Sequence, residues 1–385
     1  MTLKPLLDKL TPYLPDYPLS GLTNLLVLVL AMLDKRTVCL NKLKCAVGGI
    51  LGNSNTRVGS HYIRLIRFFN TYSAGDLWLD VLKGGLRLLR FKTKYLVLDG
   101  SSWQHGQTWR HYITLCVVYR GVAIPILWQD LAKKGSSSTE ERITLFDLAL
   151  EHFKLAGKVL LADREYIGAD WFNYLLDKQI DFVIRSRDYS YFSLIDAASP
   201  QQGLPVEGMI AGVMRSKKAN KALKKAFRLR PDGPKLWIVV AKNPCPEGKE
   251  GFMILITSLD QKVYATVADY LKRWKIEHCF RQLKSNGFDL EAINLGSPRR
   301  RRLLIAVTVL AYILSVTEGL KDYHQQVAYK RHGSQGRSYR AVSVFRYGID
   351  RLSARLCTIQ QGIRYLTRNL QRATTGYRST NLLNV

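Results

Sequence analysis

The sequence predicts an α/β protein whose sheet is flanked by helical segments at both ends. Residues 1–90 carry apolar side chains at helical spacing, and a similar pattern returns from residue 263 onward. Between them, residues 95–185 alternate short apolar runs of strand type with amphipathic stretches. A chain of 385 residues at about 150 residues per domain is expected to form two or three structural units.

The charge of the chain indicates a polyanionic partner. There are 58 basic and 30 acidic residues, giving a net charge of +28, while the hydrophobic fraction of 47% excludes disorder of the whole chain. Such an excess is typical of proteins that bind nucleic acid or an anionic membrane. Of five consecutive segments, only residues 99–181 are acidic, with 9 basic and 11 acidic side chains. This exception suggests a site for cations within a basic protein.

The cysteines and the apolar runs indicate a protein of the reducing cytoplasm. The six cysteines form no C-x-x-C pair, so neither a zinc ribbon nor a dense disulfide framework is expected. The apolar runs 25–33 and 303–316 are too short to span a bilayer, and no signal-peptide cleavage pattern follows the first. We therefore expect no membrane insertion, and a buried core helix at 303–316.

Within the first helical segment, residues 54–70 place basic side chains around an apolar stripe. Arg57, Arg64 and Arg67 alternate with apolar residues at helical spacing. This pattern suits a helix that lies on DNA, and an ordinary solvated basic face explains it equally well.

Two aspartates follow short buried strands. The run 95–98 leads into Asp99, and the run 159–162 leads into Asp163. A hairpin (111–119 and 122–127, turning at Arg120-Gly121), helices (140–155 and 170–178) and a strand (182–185) complete this part. Carboxylates at adjacent strand ends can hold hard cations, although a single aspartate after a strand is more often a turn former or a helix cap.

Other polar residues nearby are weaker candidates. Glu165 follows Asp163 by two residues and could face the same way. His105, His111 and Cys116 have no metal-ligand spacing, and we assign them no role.

A third ligand is suggested by the segment 268–287, which is typical of one helix ending at a glycine. At 3.6 residues per turn, a single face of roughly 80° carries five polar side chains. They are Tyr270, Arg273, Glu277, Arg281 and Lys284. An exposed i, i+4 ion pair between Arg273 and Glu277 would explain two of them, whereas a site for a metal and for phosphate oxygens uses all the members.

These residues resemble a known family. Tyr270, Arg273, Glu277 and Lys284 match the Tyr-Arg-Glu-Lys spacing of the DDE transposases of insertion-sequence family four. LVLDGS around Asp99, AIPILW at 123–128 and LADREY around Asp163 are similar to the strands of that group, over about residues 95–315. The 114 residues from Asp163 to Glu277 leave room for the β-rich insertion of that family.

The resemblance implies an RNase H-like catalytic core interrupted by a β-rich insertion, with helical N- and C-terminal parts. The implied boundaries are a helical DNA-binding domain (1–90), the first part of the core (91–187), the insertion (188–262), the second part of the core (263–325) and a basic helical C-terminal region (326–385).

The resemblance also implies the chemistry. Asp99, Asp163 and Glu277 would be the catalytic residues and would bind two Mg²⁺ or Mn²⁺ ions, which activate a hydroxyl for attack on phosphorus. Tyr270, Arg273, Lys284 and, less directly, Arg281 would contact DNA. Some relatives stack a flipped base on a tryptophan of the insertion, and Trp237 is the candidate here, with a core role as the alternative.

The expected activity is cut-and-paste DNA transposition of a bacterial insertion sequence by a nucleoid-associated cytoplasmic enzyme. Its partners would be double-stranded DNA, as element ends and as target, and a second copy in a homodimer. The alternatives are an RNase H-like metal-dependent nuclease that does not join DNA, and a transposase-derived DNA-binding protein without catalysis.

Overall fold

The protein is described here from a computed structural model, which divides into two compact units. One comprises residues 1–92, 103–110 and 278–383, and the other comprises residues 93–102, 111–277 and 384–385. The structure describes residues 3–53, 55–89, 93–105, 107–186, 194–199, 203–243, 251–331, 338–356, 362–368 and 382. Ser54, Cys245, Cys357 and the expected start of the insertion at residue 188 lie outside these residues.

The named helices are α1 (Lys4–Leu10), α2 (Leu19–Lys35), α3 (Leu40–Leu51), α4 (Val58–Tyr72), α5 (Leu77–Arg87), α6 (Thr139–His152), α7 (Ala169–Asp177), α8 (Val206–Arg215), α9 (Val263–Tyr270), α10 (Lys275–Leu283), α11 (Pro298–Gly319), α12 (Tyr323–Gln326) and α13 (Val344–Leu356). The named strands are β1 (Tyr95–His105), β2 (Thr108–Tyr119), β3 (Val122–Leu131), β4 (Val159–Ala162), β5 (Asp181–Ser186), β6 (Ile195–Asp196), β7 (Ala222–Arg228), β8 (Leu236–Lys242), β9 (Phe252–Thr257), β10 (Tyr329–Arg331) and β11 (Ser338–Arg340).

The first unit is mainly helical, as its apolar spacing predicts. Its core contains α2 and α11, which are apolar on most sides and bury most of their residues. Thr308 Oγ1 of α11 lies 3.9 Å from Met32 Sδ of α2. Among the described residues, α11 alone is long and apolar enough to cross a membrane, but 78% of its most apolar window is buried inside the protein. The prediction of a buried core helix is confirmed.

The same unit contains a short hairpin that the sequence pattern does not indicate. β10 and β11 pair in antiparallel register within a region expected to be helical. Both strands are only three residues long and largely exposed, so they lack the apolar alternation that identifies a strand.

The second unit is built on a nine-stranded mixed sheet with the strand order β3-β2-β1-β4-β5-β9-β8-β7-β6. β1, β4 and β5 pair in parallel, whereas the pairs β2–β3, β5–β9, β9–β8, β8–β7 and β7–β6 are antiparallel. Arg120 and Gly121 both have positive φ, 44° and 80°, as a two-residue hairpin turn requires. The expected hairpin and the mixed α/β class are confirmed.

Three expectations about these elements need correction. β1 continues past Leu98 to His105, so Asp99 lies inside a strand, because β1 has β2 as a second neighbour in the sheet. The segment 188–262 contains the helix α8, and its strands extend the same sheet through the pairing of β9 with β5. The segment 268–287 is not one helix, because a 3₁₀ turn, Leu271–Trp274, separates α9 from α10.

Candidate active site

Three carboxylates from three separate elements converge in the second unit. Asp99 lies on β1, Asp163 directly follows β4, and Glu277 lies in the first turn of α10. Leu98 and Ala162 are the last partners in the parallel pairing of β1 with β4. The residues that follow them, Asp99 and Asp163, therefore lie at the same level of the sheet. The structure therefore brings together the three residues that the sequence predicted.

The guanidinium of Arg273 lies among these carboxylates. Its Nη1 is 3.3 Å from Asp99 Oδ2, while its Nη2 is 2.7 Å from Glu277 Oε1 and 3.9 Å from Asp163 Oδ2. The Arg273 side chain is only 6% exposed. The ion pair with Glu277 thus exists, but it is buried and shared with two aspartates, so it is not the solvated surface pair considered as the alternative.

The 3₁₀ turn has a direct effect on Arg273. A regular α-helix turns by about 100° per residue, whereas a 3₁₀ helix, with about 3.0 residues per turn, turns by about 120°. Arg273 lies in this tighter segment and Glu277 in the helix after it. The backbone thus changes from a 3₁₀ turn to an α-helix between Arg273 and Glu277, and the Arg273 side chain is buried next to the carboxylates.

Charge is poorly balanced at this site. Burial, with a smaller contribution from the neighbouring Asp163 and Glu277, raises the pKa of Asp99 to about 7 against the opposing effects of Arg273 and of the Gly100 N–H group. Burial lowers the pKa of Arg273, but Tyr270 and the three carboxylates raise it above its ordinary value. One guanidinium therefore faces three carboxylates, and the site favours additional positive charge.

The donor set fits a hard divalent cation. It offers carboxylate oxygens only, the ligands that Mg²⁺ and Mn²⁺ prefer, and no thiolate or imidazole that would favour zinc. Within the part of the chain that the structure describes, no group of three or more His, Cys, Asp or Glu side chains is already arranged as a metal cage. The carboxylates contact Arg273 instead, and its guanidinium supplies the positive charge that compensates theirs.

Tyr270 is the second signature residue at this site. Its hydroxyl donates to Asp163 Oδ1 at 3.4 Å, and the side chain is buried. Burial, together with the charge of Asp163, raises the pKa of Tyr270, so the hydroxyl stays protonated as a donor. The sequence-based grouping of Tyr270, Arg273 and Glu277 on one site is therefore reproduced by the contacts.

A network behind the site holds α9 against β1, and the sequence did not reveal it. Tyr95 donates to Asp269 Oδ1 at 2.6 Å, and Lys272 Nζ lies 2.5 Å from the same oxygen. Burial opposes ionisation of Asp269, but the bonds from Lys272 and Tyr95 lower its pKa. Lys272 also lies over the Tyr95 ring, 4.0 Å from its centroid. The only sequence signal was an aspartate next to the signature tyrosine.

Two further polar side chains lie beside Gly100. A methyl group at Gly100 would lie 2.4 Å from His111 Nε2 and 3.4 Å from the Tyr166 hydroxyl, so no larger residue fits. His111 Nδ1 is 3.0 Å from Ser102 Oγ, and burial lowers the pKa of His111. The glycine after Asp99 is thus required by packing, a role that sequence analysis did not assign.

The remaining candidates lie elsewhere. Glu165 accepts bonds from the backbone and hydroxyl of Ser137, which engages it outside the carboxylate cluster. Trp237 on β8 is half-buried, and the Nζ atoms of Lys224 and Lys235 lie 5.1 and 5.6 Å from its ring centroid.

Arg281 and Lys284 belong to the helical unit. Arg281 is exposed, and Lys284 Nζ lies 3.7 Å from Glu291 Oε1 and 5.6 Å from the Trp103 ring centroid. Burial lowers the pKa of Lys284, an effect that Glu291 opposes.

Comparison with known proteins identifies the family of the chain. No curated protein matches the chain. A solved structure described as the cryo-EM structure of a piggyBac transposase synaptic complex with hairpin DNA is similar at 11% sequence identity and a TM-score of 0.42, covering 94% of this chain and 77% of the other. The family model described as the transposase DDE domain matches residues 90–314, which include Asp99, Asp163 and Glu277. The chain therefore belongs to the transposase DDE domain family.

Proposed function

We propose that this DNA transposase cleaves DNA at the ends of an insertion sequence and transfers the freed ends to target DNA in a cut-and-paste reaction. The observation that carries the proposal is the convergence of Asp99, Asp163 and Glu277 on the Arg273 guanidinium. Three carboxylates around one cation suit phosphoryl transfer, in which charge develops on the attacking and leaving oxygens.

The roles of the residues follow from their chemistry. Asp99, Asp163 and Glu277 would hold two Mg²⁺ or Mn²⁺ ions, which supply a hydroxyl of lowered pKa and neutralise negative charge on the phosphate. The Tyr270 hydroxyl orients the Asp163 carboxylate. Arg273 balances the charge of the carboxylates and, once released from them, can donate two parallel hydrogen bonds to a phosphate.

Contacts with DNA are proposed for three further residues. Lys284 and Arg281 are cations that would hold the backbone near the cleaved bond. The half-buried ring of Trp237 lies near two lysines and would stack on an extruded base. The charges of these lysines favour the phosphates next to such a base.

The wider organisation is also proposed. The parallel strands β1, β4 and β5 beside the antiparallel hairpin β2–β3 support an RNase H-like core with the boundaries 91–187 and 263–325. The segment 188–262 is the β-rich insertion, residues 1–90 bind DNA, and the basic region 326–385 contributes to a homodimer that holds two ends. The spacing of Tyr270, Arg273, Glu277 and Lys284 supports membership of insertion-sequence family four, in the bacterial nucleoid.

A cleavage and joining assay tests the proposal. The full chain is incubated with Mg²⁺, a labelled duplex carrying the DNA that flanks its coding region, and a supercoiled target plasmid. Cleaved ends joined to the plasmid are expected. Asp99→Asn, Asp163→Asn and Glu277→Gln should each abolish both products while binding to the end duplex persists.

The other outcomes identify the alternatives. Cleavage without joined product would indicate a metal-dependent nuclease, and binding without cleavage would indicate a transposase-derived DNA-binding protein. A variant of the carboxylate triad that still cleaves would remove that residue from the catalytic set. Asp170→Asn, at an exposed aspartate of α7, provides a matched control that should leave both products unchanged.

A further inference from the structure

The helices α3 and α4 lie in a part of the chain without carboxylates. Residues 35–75 contain seven basic side chains and not one Asp or Glu. The basic residues are Lys35, Arg36, Lys42, Lys44, Arg57, Arg64 and Arg67. Lys35 and Arg36 pair with Asp34 and Asp350, which lie outside this range, and the other five residues produce a positive field that attracts a polyanion.

α4 has one buried and one exposed face. His61, Leu65, Phe68 and Phe69 are buried, and by the helical repeat they fall within about 100° of arc. The opposite arc of about 100° carries Ser60, Ile63, Arg64 and Arg67, all of them exposed. By the same repeat, the Ile63 side chain, 47% exposed, lies at one edge of this polar face, about 40° from Arg67.

Close packing fixes the orientation of α4. A methyl group at Gly48 of α3 would lie 3.0 Å from His61 Nε2, and a methyl group at Gly21 of α2 would lie 2.5 Å from the Tyr72 hydroxyl. Side chains near both ends of α4 thus approach the backbone of a neighbouring helix. A helix held in this way presents its exposed face in a defined direction.

Arg64 is oriented by a neighbouring helix. Its Nε donates to Asn24 Oδ1 of α2 at 2.7 Å. This bond engages one edge of the guanidinium and leaves the two terminal amino groups, which can donate side by side. Such a pair of donors matches O6 and N7 of guanine in the major groove, and an exposed isoleucine can contact the methyl group of thymine.

We infer that the exposed face of α4 enters the major groove of duplex DNA and reads its bases, with Arg64 as the oriented reader. α3 and α4 follow one another and pack together, as the two helices of a helix-turn-helix do, and the second helix of that motif lies in the major groove. Lys42 on α3 and Arg57 before α4, both exposed, contact phosphates. The choice of DNA as the partner rests on the proposed function.

Selection from a random library tests this without knowledge of the element ends. The full chain is incubated with duplexes that carry a randomised core, the bound fraction is sequenced, and affinity is measured for the selected and a scrambled duplex. A motif containing a preferred guanine is expected. Arg64→Ala and Asn24→Ala should each reduce the selected-to-scrambled affinity ratio by about tenfold or more.

Two variants separate base reading from charge. Arg64→Lys keeps the charge but not the paired donors. It should therefore reduce the selected-to-scrambled affinity ratio while keeping the affinity for scrambled DNA. Lys42→Ala should weaken binding to both duplexes equally and reduce the slope of log affinity against log salt by about one. Lys154→Ala, which removes a charge from an exposed lysine outside the residues proposed to bind DNA, is the matched control and should retain the ratio. Thermal unfolding of each variant verifies that it is folded.

The outcomes distinguish this inference from the proposed function. Enrichment of no motif, an unchanged ratio in the Arg64 and Asn24 variants, or binding to anionic lipid vesicles in place of DNA would each overturn the reading role of α4. If the ratio depends on Arg64 but the wild-type chain neither cleaves nor joins DNA, the inference stands and the catalytic proposal fails. If joining occurs and base preference is independent of α4, the catalytic proposal stands and the inference fails.

Discussion

Asp99 and Asp163 follow two residues, Leu98 and Ala162, that pair directly across the parallel strands β1 and β4. This register places the two aspartates next to each other on neighbouring strands. Arg273 lies within 3.9 Å of both carboxylates, and the two charges would otherwise repel each other in a largely buried site. The predictions below concern this charge balance and the proposed contacts with DNA.

Replacing Arg273 should strengthen metal binding and weaken the metal-free fold. Arg273→Gln removes the positive charge that contacts the three carboxylates, so Mn²⁺ affinity should rise about tenfold, or about 1.4 kcal/mol. The metal-free protein should lose about 3 kcal/mol or more of unfolding free energy, because buried carboxylates lose their partner. Electron paramagnetic resonance of free Mn²⁺ and urea unfolding in EDTA measure the two effects. Unchanged Mn²⁺ affinity would show that Arg273 does not compete with the metal.

The metal-free protein should become less stable between about pH 4 and pH 7. The pKa of Asp99 is raised to about 7 from an ordinary value of 3.8, so in this range the native state binds more protons than the unfolded state. Unfolding free energy then falls as pH rises, by up to about 4 kcal/mol from this group.

Asp99→Asn should flatten this pH profile, and Asp170→Asn should leave it unchanged. Urea unfolding in EDTA at a series of pH values provides the comparison. A wild-type profile that coincides with that of Asp99→Asn would contradict the raised pKa. Mn²⁺ should stabilise the wild type more at pH 8 than at pH 6, because binding requires the ionised carboxylate.

Loss of the Trp237 ring should affect cleavage of paired DNA more than cleavage of DNA that is already distorted. Base stacking on an aromatic ring contributes about 1–3 kcal/mol, so Trp237→Ala should slow cleavage of an intact duplex by about tenfold or more. A duplex with an unpaired base at the cleavage point should be affected less, since part of the unstacking cost is absent. Trp237→Phe should retain most of the rate. Equal slowing on both substrates would argue against stacking.

Lys284 should contribute one phosphate contact. Lys284→Ala is expected to weaken binding to the end duplex and to reduce the slope of log affinity against log salt by about one. Lys154→Ala, at an exposed lysine after α6 and outside the residues proposed to bind DNA, is a control that removes the same charge and should leave the slope unchanged. A slope equal to that of the wild type would indicate that the pairing of Lys284 with Glu291 is its main role.

The proximity of the three carboxylates could be predicted because their signals are local. Asp163 directly follows an apolar strand, and Glu277 shares helical spacing with Tyr270 and Arg273. The proximity of Gly100 to His111 and Tyr166 could not be predicted, since it depends on contacts between distant residues. The same holds for the bond from Tyr95 to Asp269, which are 174 residues apart.

The element boundaries were less predictable for physical reasons. β1 extends beyond its apolar run because a neighbouring strand pairs with its polar end, an effect of tertiary structure on local pattern. The 3₁₀ turn at Leu271–Trp274 interrupts a segment whose residues all tolerate a regular helix. It coincides with the burial of Arg273, a feature that helical propensity does not encode.

The core of the helical unit joins residues from opposite ends of the chain. Met32 on α2 contacts Thr308 on α11, 276 residues later. At about 5–20 residues per second, a ribosome would add this interval in roughly 15–55 s. During that time the part of α2 that α11 covers lacks this neighbour, whereas α1, α3 and α4 are already available to pack against α2. The second unit ends at Glu277 apart from two terminal residues, so most of it can fold before α11 is made.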